Sequence, residues 1–336
     1  MRIAIIGAGN VGTTLGRAWA KAGHEIVYGV RDRSPTPHEG ARVDSVRGAA
    51  SAGEVVALVV PWAAAGDALA EAGDLARKPL IDVTNPIGPG FALTLGHTTS
   101  GAERVAALAP SARVVKAFNC TGLETMANPA FGARRALMPV AGDDADAIAT
   151  VARLASDIGF EPVALKALAS ARELEPLAKL WIDLATRLGH GRNIAFGIAR
   201  REGADRAPPA RTAARRRVAI VGSGNIGGAL ARAWLRAGHD VRIVTRDASA
   251  KDVAELAALG ATTAPIAGGA KDRDVIAFAI PAGAVVDVAR AMGGLAGKIV
   301  IDCTNAIAKG FTLKFGHTKS SAEEIAKALP GAKIVR

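Results

Sequence analysis

One glycine fingerprint occurs twice in this chain, as Gly7-Ala8-Gly9-Asn10-Val11-Gly12 and again as Gly222-Ser223-Gly224-Asn225-Ile226-Gly227. Each follows a short β-branched apolar run and opens a segment with helical spacing. That strand, turn and helix context makes GxGxxG a dinucleotide-binding signature. The first glycine permits a tight turn, the second lets the backbone approach a pyrophosphate, and the third lets helix and strand pack closely. The helix N-terminus then offers unpaired N–H groups and partial positive charge to the phosphates. A single match arises by chance in a chain with 38 glycines, but two in matching contexts do not.

The repeat extends beyond the fingerprint. Gly7/Gly222, Trp19/Trp234, His24/His239 and Arg31/Arg246 share one offset; Val55/Val275, Asp82/Asp302, Asn85/Asn305 and Pro110/Pro330 share another that is five residues larger. The second copy has therefore gained five residues between about 248 and 274, in the loop and helix after its second strand. Strands expected at 2–6, 25–30, 55–60, 79–83 and 112–118 alternate with helices at 11–22, 63–75 and 101–109. Alternation of this kind predicts a doubly wound parallel sheet with helices on both faces. Helices expected at 143–158 and 172–189 then form a small, mainly helical domain. The expected organisation is a Rossmann-type domain at 1–118, the helical domain at 119–199, a linker at 200–216 and a second, truncated Rossmann domain at 217–336, which stops partway through a strand equivalent to that of Lys116.

The formal charge is +11, but residues 200–217 alone carry seven arginines against Glu202 and Asp205. With Pro208-Pro209 and several alanines this reads as a solvated linker, and no aromatic residue is interleaved for base stacking, so nucleic acid is not an expected partner. No uncharged apolar run is long enough to span a bilayer, and no separate secretory signal follows Met1-Arg2, so the expected location is cytoplasmic without membrane attachment. Cys120 and Cys303 occupy unrelated places in the two copies, which argues against a disulfide framework or a cysteine-bound metal. Cys120 itself reads as a buried small side chain.

The end of the second strand decides the nucleotide. An acid there bonds a ribose 2′-hydroxyl and selects NAD, whereas an arginine accommodates the 2′-phosphate of NADP. The copies read Gly29-Val30-Arg31-Asp32 and Val244-Thr245-Arg246-Asp247, so arginine in both favours NADP(H), with Asp32 and Asp247 as the alternative ribose ligands. His97 follows Leu95-Gly96 in a loop and is a candidate near the reacting ring, against the more ordinary reading of a solvent-facing histidine. Lys179 is a candidate general acid on the 172–189 helix, but Glu175 lies four residues before it, and a surface i,i+4 pair is the expected arrangement.

By its motifs the chain resembles the coenzyme F-420-dependent NADP oxidoreductases. Those motifs are the Gly7-x-Gly9-Asn10-x-Gly12 turn, Arg31-Asp32, Val60-Pro61-Trp62, Asp82-x-Thr84-Asn85-Pro86, Ser100-Gly101-Ala102-Glu103, Lys116-Ala117-Phe118-Asn119, Gly142-Asp143-Asp144 and Leu174-Glu175-Pro176-Leu177, with an ending Asn193-Ile194-Ala195-Phe196. The resemblance implies hydride exchange between NADP(H) and a deazaflavin (coenzyme F-420) or flavin as a small-molecule acceptor, a reaction that needs proximity and orientation more than a general acid. It also implies that Arg31 holds the 2′-phosphate and that Pro61, Trp62, Asn85 and Pro86 line the ribose and nicotinamide. In the second copy Gly222, Gly224, Asn225, Ile226, Gly227, Arg246, Pro281 and Asn305 persist, but Trp62 becomes Ala282 and Pro86 becomes Ala306. That copy is expected to bind a dinucleotide without a complete reaction site, acting as the second half of a pseudo-dimer within the chain or leaving room for a homodimer. The alternatives are a non-catalytic dinucleotide sensor, and a reductase like the β-hydroxyacid dehydrogenases that uses Lys179.

Overall fold

The first strand, β1 (Arg2–Ile6), shows why the expected sheet forms: Ile3 and Ile5 enter one buried cluster while Ala4 and Ile6 enter another on the opposite face. A strand buried on both sides reads as a continuous apolar run, the mark of a parallel sheet covered by helices. The computed structural model describes residues 1–31, 38–199, 215–305 and 319–336. It divides into two compact units, Met1–Glu202 and Gly203–Arg336.

In the first unit β1 is followed by α1 (Asn10–Lys21), β2 (Glu25–Gly29), β3 (Arg42–Asp44), α2 (Val46–Ala52), β4 (Val55–Leu58), α3 (Ala65–Ala72), β5 (Pro79–Asp82), α4 (Gly101–Leu108) and β6 (Arg113–Lys116). Then come α5 (Leu123–Ala127), a small hairpin of β7 (Ala130–Phe131) and β8 (Arg134–Arg135), β9 (Leu137–Gly142), α6 (Ala145–Asp157), β10 (Glu161–Leu165) and α7 (Ala171–Ile182). The main sheet runs β10-β9-β6-β5-β4-β1-β2-β3 and is parallel except where β9 meets β6. Helices after residue 119 are present as α6 and α7, but β9 and β10 also extend the first sheet. Residues 119–199 are therefore joined to it by backbone pairing, at Val115 with Gly142 and Lys116 with Ala141. Pro139 lies in β9 without disrupting the ladder because the pairing with β6 reaches only Ala141 and Gly142.

Helix α1 buries Gly12, Leu15, Gly16 and Trp19, a stripe at helical spacing. Trp19 is fully buried, meets Phe118 edge to face at 5.5 Å, and donates its indole N–H to the Leu154 carbonyl of α6 at 3.1 Å. Helices α2, α4 and α6 start where Ser45, Ser100 and Asp144 accept backbone N–H bonds from Gly48, Glu103 and Ala147.

The second unit contains β11 (Arg217–Val221), α8 (Asn225–Arg236), β12 (Asp240–Val244), α9 (Lys251–Ala258), β13 (Thr262–Ala264), β14 (Val275–Phe278), α10 (Val285–Met292), β15 (Ile299–Asp302), α11 (Ser321–Ala328) and β16 (Lys333–Val335). Its all-parallel order, β13-β12-β11-β14-β15-β16, repeats that of the first six main-sheet strands. Both units are Rossmann-type α/β folds. The five extra residues fall before β13, where α9 forms ahead of the strand. Residues 266–272, which follow β13 as α2 follows β3, make turns instead of a helix. Asp32 and the linker arginines from Arg200 to Arg211 lie outside the described residues, as do Ala306 and His317, the second copy's counterpart of His97. Among the described residues no helix is long and apolar enough to cross a membrane.

Candidate dinucleotide site

The fingerprint turns close as their glycines require. Gly7 has φ +108° and Gly222 φ +99°, a left-handed backbone that side chains rarely adopt. A Cβ on Gly12 would overlap the Gly7 carbonyl oxygen, and one on Gly227 would overlap that of Gly222, so helix and strand approach here without room for a methyl. Gly9 and Gly224 differ: a Cβ on either would meet nothing within 4 Å. The second glycine thus borders open space, as the expected close approach of a pyrophosphate would need.

No side chain caps α1 or α8 at Gly9 or Gly224. The first-turn N–H groups, those of Asn10, Val11 and Gly12 and of Asn225, Ile226 and Gly227, are the donors that a phosphate oxygen would satisfy. Beside the first turn lies a cleft of about 150 Å³ whose lining includes Gly7, Gly29, Arg31 and Val60, together with Asp67 and Glu71 of α3. Arg31 is exposed at the end of β2, where the sequence places the 2′-group discriminator. Arg246 is likewise exposed. Asp247 is occupied locally: Ser249 donates to its Oδ1 through both its N–H (2.9 Å) and its Oγ, and these bonds hold the carboxyl below the usual carboxylate range. In the second unit the arginine, and not the acid, is free of its own loop.

The other expected site residues divide between two places. Pro61 is exposed after β4, while Trp62 lines a separate surface cleft with Leu95, Arg104 and Leu108, and both Trp62 and Pro86 lie against Gly101. Asn85 and Asn119 interlock at the ends of β5 and β6. Asn85 donates to the Asn119 carbonyl at 2.8 Å, and Asn119 Nδ2 donates to Asn85 Oδ1 and to the Leu174 carbonyl, both at 3.1 Å. In the second unit Pro281 and Asn305 are both exposed. His97 is exposed on the loop before α4, with φ +65°, and does not line the Arg31 cleft.

Glu175 corrects one expectation. It does not pair with Lys179; its side chain is fully buried and accepts the Gly101 and Ala102 N–H groups at 2.8 and 3.1 Å, with Lys116 Nζ at 3.1 Å. The reason is helix phase: Leu174, Glu175, Ala178 and Trp181 form the inward face of α7. Lys179 instead pairs with Asp183 one turn on. Lys116 is also fully buried, and it donates to Asp82 Oδ2 at 2.9 Å and to the Thr84 carbonyl at 2.6 Å. Burial pushes the Glu175 carboxyl above the usual carboxylate range, against the pull of Lys116. In the second unit Ser321 stands in the place of Gly101, and its hydroxyl reaches Asp302 Oδ2 at 2.6 Å. Cys120 is buried, which pushes its thiol up to about 12, so it stays protonated. Among the described residues no cluster of His, Cys, Asp and Glu is suited to hold a metal ion.

Residues 2–86 and 217–306, which hold both fingerprints and both strand-two arginines, match the model of the family described as NADP oxidoreductase coenzyme F420-dependent. The chain belongs to this family. A relative from Methanothermobacter thermautotrophicus, F420-dependent NADP reductase, is 31% identical over 210 residues, spanning 56% of this chain and 90% of that protein. Metalloreductase STEAP3 of Rattus norvegicus is 34% identical over 182 residues, spanning 52% of this chain and only 36% of that protein. Among solved structures, one from Arthrobacter sp. FB24, described as an F420-dependent NADP-reductase, superposes with a TM-score of 0.55 at 32% identity. It covers 60% of this chain and 100% of its own. The family match falls on both units, so its fold is present in tandem.

Proposed function

We propose that the first unit binds NADP(H) and exchanges a hydride with a deazaflavin- or flavin-like acceptor. The observation that carries this reading is the uncapped α1 N-terminus beside open space at Gly9, next to a cleft bordered by exposed Arg31. The first-turn N–H groups would hold the pyrophosphate, and Arg31 would pair with the 2′-phosphate through a charge-assisted contact. The bound nicotinamide supplies the hydride chemistry; the protein supplies binding and orientation. The similarity to two proteins described as F420-dependent NADP reductases supports the deazaflavin acceptor. Lys179, held in its pair with Asp183, gives less support to the reductase reading that would use it as an acid.

We further propose residues 200–216 as the linker and the second unit as a dinucleotide-binding partner domain that does not turn over. Its preserved turn and Arg246 support binding, and Ala282 in the place of Trp62 supports the absence of turnover. The test is a titration of the full chain with NADPH and NADH, with and without Arg31→Ala, followed by oxidation of NADPH with deazaflavin, flavin and ketoacid acceptors in parallel. Arg31→Ala should weaken NADPH by about 1.5–3 kcal/mol at the first site and leave NADH nearly unchanged. Equal weakening of both would remove Arg31 as discriminator, and turnover with the ketoacid alone would replace the acceptor assignment.

A further inference from the structure

Asn119 carries a feature that packing does not explain. The residue is 5% exposed, and both of its amide protons are engaged, by Asn85 Oδ1 and by the Leu174 carbonyl of α7. Those two acceptors fix which end of the amide is nitrogen. Its Oδ1 is then a buried acceptor with no hydrogen-bond partner in the protein. Buried polar groups are paired in the great majority of cases, and an unpaired one in a native fold calls for a partner from outside.

Its surroundings say what kind of partner. Asn119 sits just past the end of β6, and Asn85, which locks it, sits just past β5. Both are at the carboxyl ends of the strands, where open α/β sheets receive their ligands. They lie beyond β4, on the side of the sheet away from Arg31 and β2. Phe118, immediately before Asn119, has φ +62°, which is strained for a bulky residue and is held by its complete burial against Trp19 and Phe160. Strain of this kind persists where the surrounding structure over-determines a position, commonly at ligand sites.

We propose that Asn119 Oδ1 accepts a hydrogen bond from the carboxamide N–H of the nicotinamide and so orients the ring. The chemistry fits: the site offers one lone acceptor and no free donor on that amide, so it takes a ligand that donates. This inference rests on the NADP(H) reading of the first unit. Asn119 is then a positioning residue that sets ring orientation, while Arg31 and the α1 turn hold the other half of the molecule.

The test is equilibrium binding to the full chain of three probes: NADP⁺, its 3-acetylpyridine analogue, in which an acetyl group replaces the carboxamide and no N–H remains, and 2′-phospho-ADP-ribose, which lacks the ring but keeps both riboses. A mutant of the second-unit turn, Gly224→Ala, isolates the first site. The wild-type site should prefer NADP⁺ to the acetyl analogue by roughly fivefold to tenfold, the value of one hydrogen bond. In Asn119→Ala that ratio should fall to near one while 2′-phospho-ADP-ribose binds unchanged. Equal wild-type affinity for NADP⁺ and the analogue overturns the proposal without needing the variant, so a poorly folding Asn119→Ala does not shelter it. A ratio that persists in Asn119→Ala overturns it as well. A parallel loss of all three probes assigns Asn119 to ribose contact or to packing and also overturns it. Failure of wild type to bind 2′-phospho-ADP-ribose would instead overturn the NADP(H) reading, and this inference with it.

Discussion

Truncating Glu175 to alanine should unfold the first unit's far half more readily than any surface change on α7. The wild-type carboxylate satisfies two buried backbone donors, Gly101 N–H and Ala102 N–H, and shares Lys116 with Asp82. Alanine leaves both donors unpaired at an α4 N-terminus that no water reaches, each costing about 1–3 kcal/mol. Lys116 keeps Asp82 and the Thr84 carbonyl, so the buried ammonium is not stranded and the loss of that partner adds less. The two together cost about 2–6 kcal/mol, a range that brackets the scale of breaking a buried ion pair. For a unit of this size that is a melting shift of about 4–24 °C. Calorimetry of the full chain should resolve it as movement of the first unit's transition with the second unit's unchanged. Glu175→Gln, which retains an acceptor for the helix end, should cost less than Glu175→Ala. It also isolates the proton: the folded carboxyl binds its proton more tightly than the unfolded one, because burial raises it above the usual carboxylate range. The unfolded state then binds fewer protons across that window, so the stability of wild type relative to Glu175→Gln should decline as pH rises from the ordinary carboxylate range through the raised folded value. A loss below about 1 kcal/mol in Glu175→Ala would refute the reasoning, since buried orphaned donors would have to cost almost nothing.

Gly9→Ala should abolish dinucleotide binding at the first site with unfolding unchanged, because its methyl enters open space, whereas Gly12→Ala should destabilise the unit itself by overlap with the Gly7 carbonyl; titration beside thermal unfolding separates the two. Trp19→Ala should cost about 3–5 kcal/mol, as for a fully buried aromatic. Trp234→Ala should cost clearly less in the second unit, since Trp234 is only half-buried, and denaturant curves for the two variants make the comparison. Lys179→Met removes a partly exposed i,i+4 pair with Asp183 worth about 0.3–0.5 kcal/mol and should leave NADPH oxidation intact; a collapse of turnover would restore Lys179 as a general acid.

The near half of the candidate site was legible because its signals are local. The glycine turns, the arginine after β2 and the alternation of strands and helices all lie within short windows. The far half depends on residues brought together from a distance. Glu175 reaches Gly101 across 74 residues, and its only local sign is a carboxylate on the apolar face formed by Leu174, Ala178 and Trp181. The i,i+4 rule pointed it at Lys179 because that rule sees helix spacing and not which face is buried. Strands β9 and β10 were hidden for a different reason. Leu137–Gly142 contains Pro139, which argues against a strand unless the pairing stops short of it, and only the register with β6 shows that it does. Asn119 stood in a recognised motif, yet nothing in the sequence marks an amide oxygen as unpaired.

The reach of α7 also sets an order of assembly. The turn and cleft that hold Gly7, Arg31 and Glu71 are complete within the first 71 residues of the chain. The ends of β5 and β6 cannot settle until Leu174 and Glu175 arrive to bind Asn119, Lys116 and the start of α4. Contacts of such wide sequence separation form late, because closure of the intervening loop costs entropy before it is rewarded. During synthesis the chain therefore acquires the fingerprint turn and its cleft well before the ends of β5 and β6 are tied to α7. Under the proposed function, competence to hold a nucleotide would precede competence to use it.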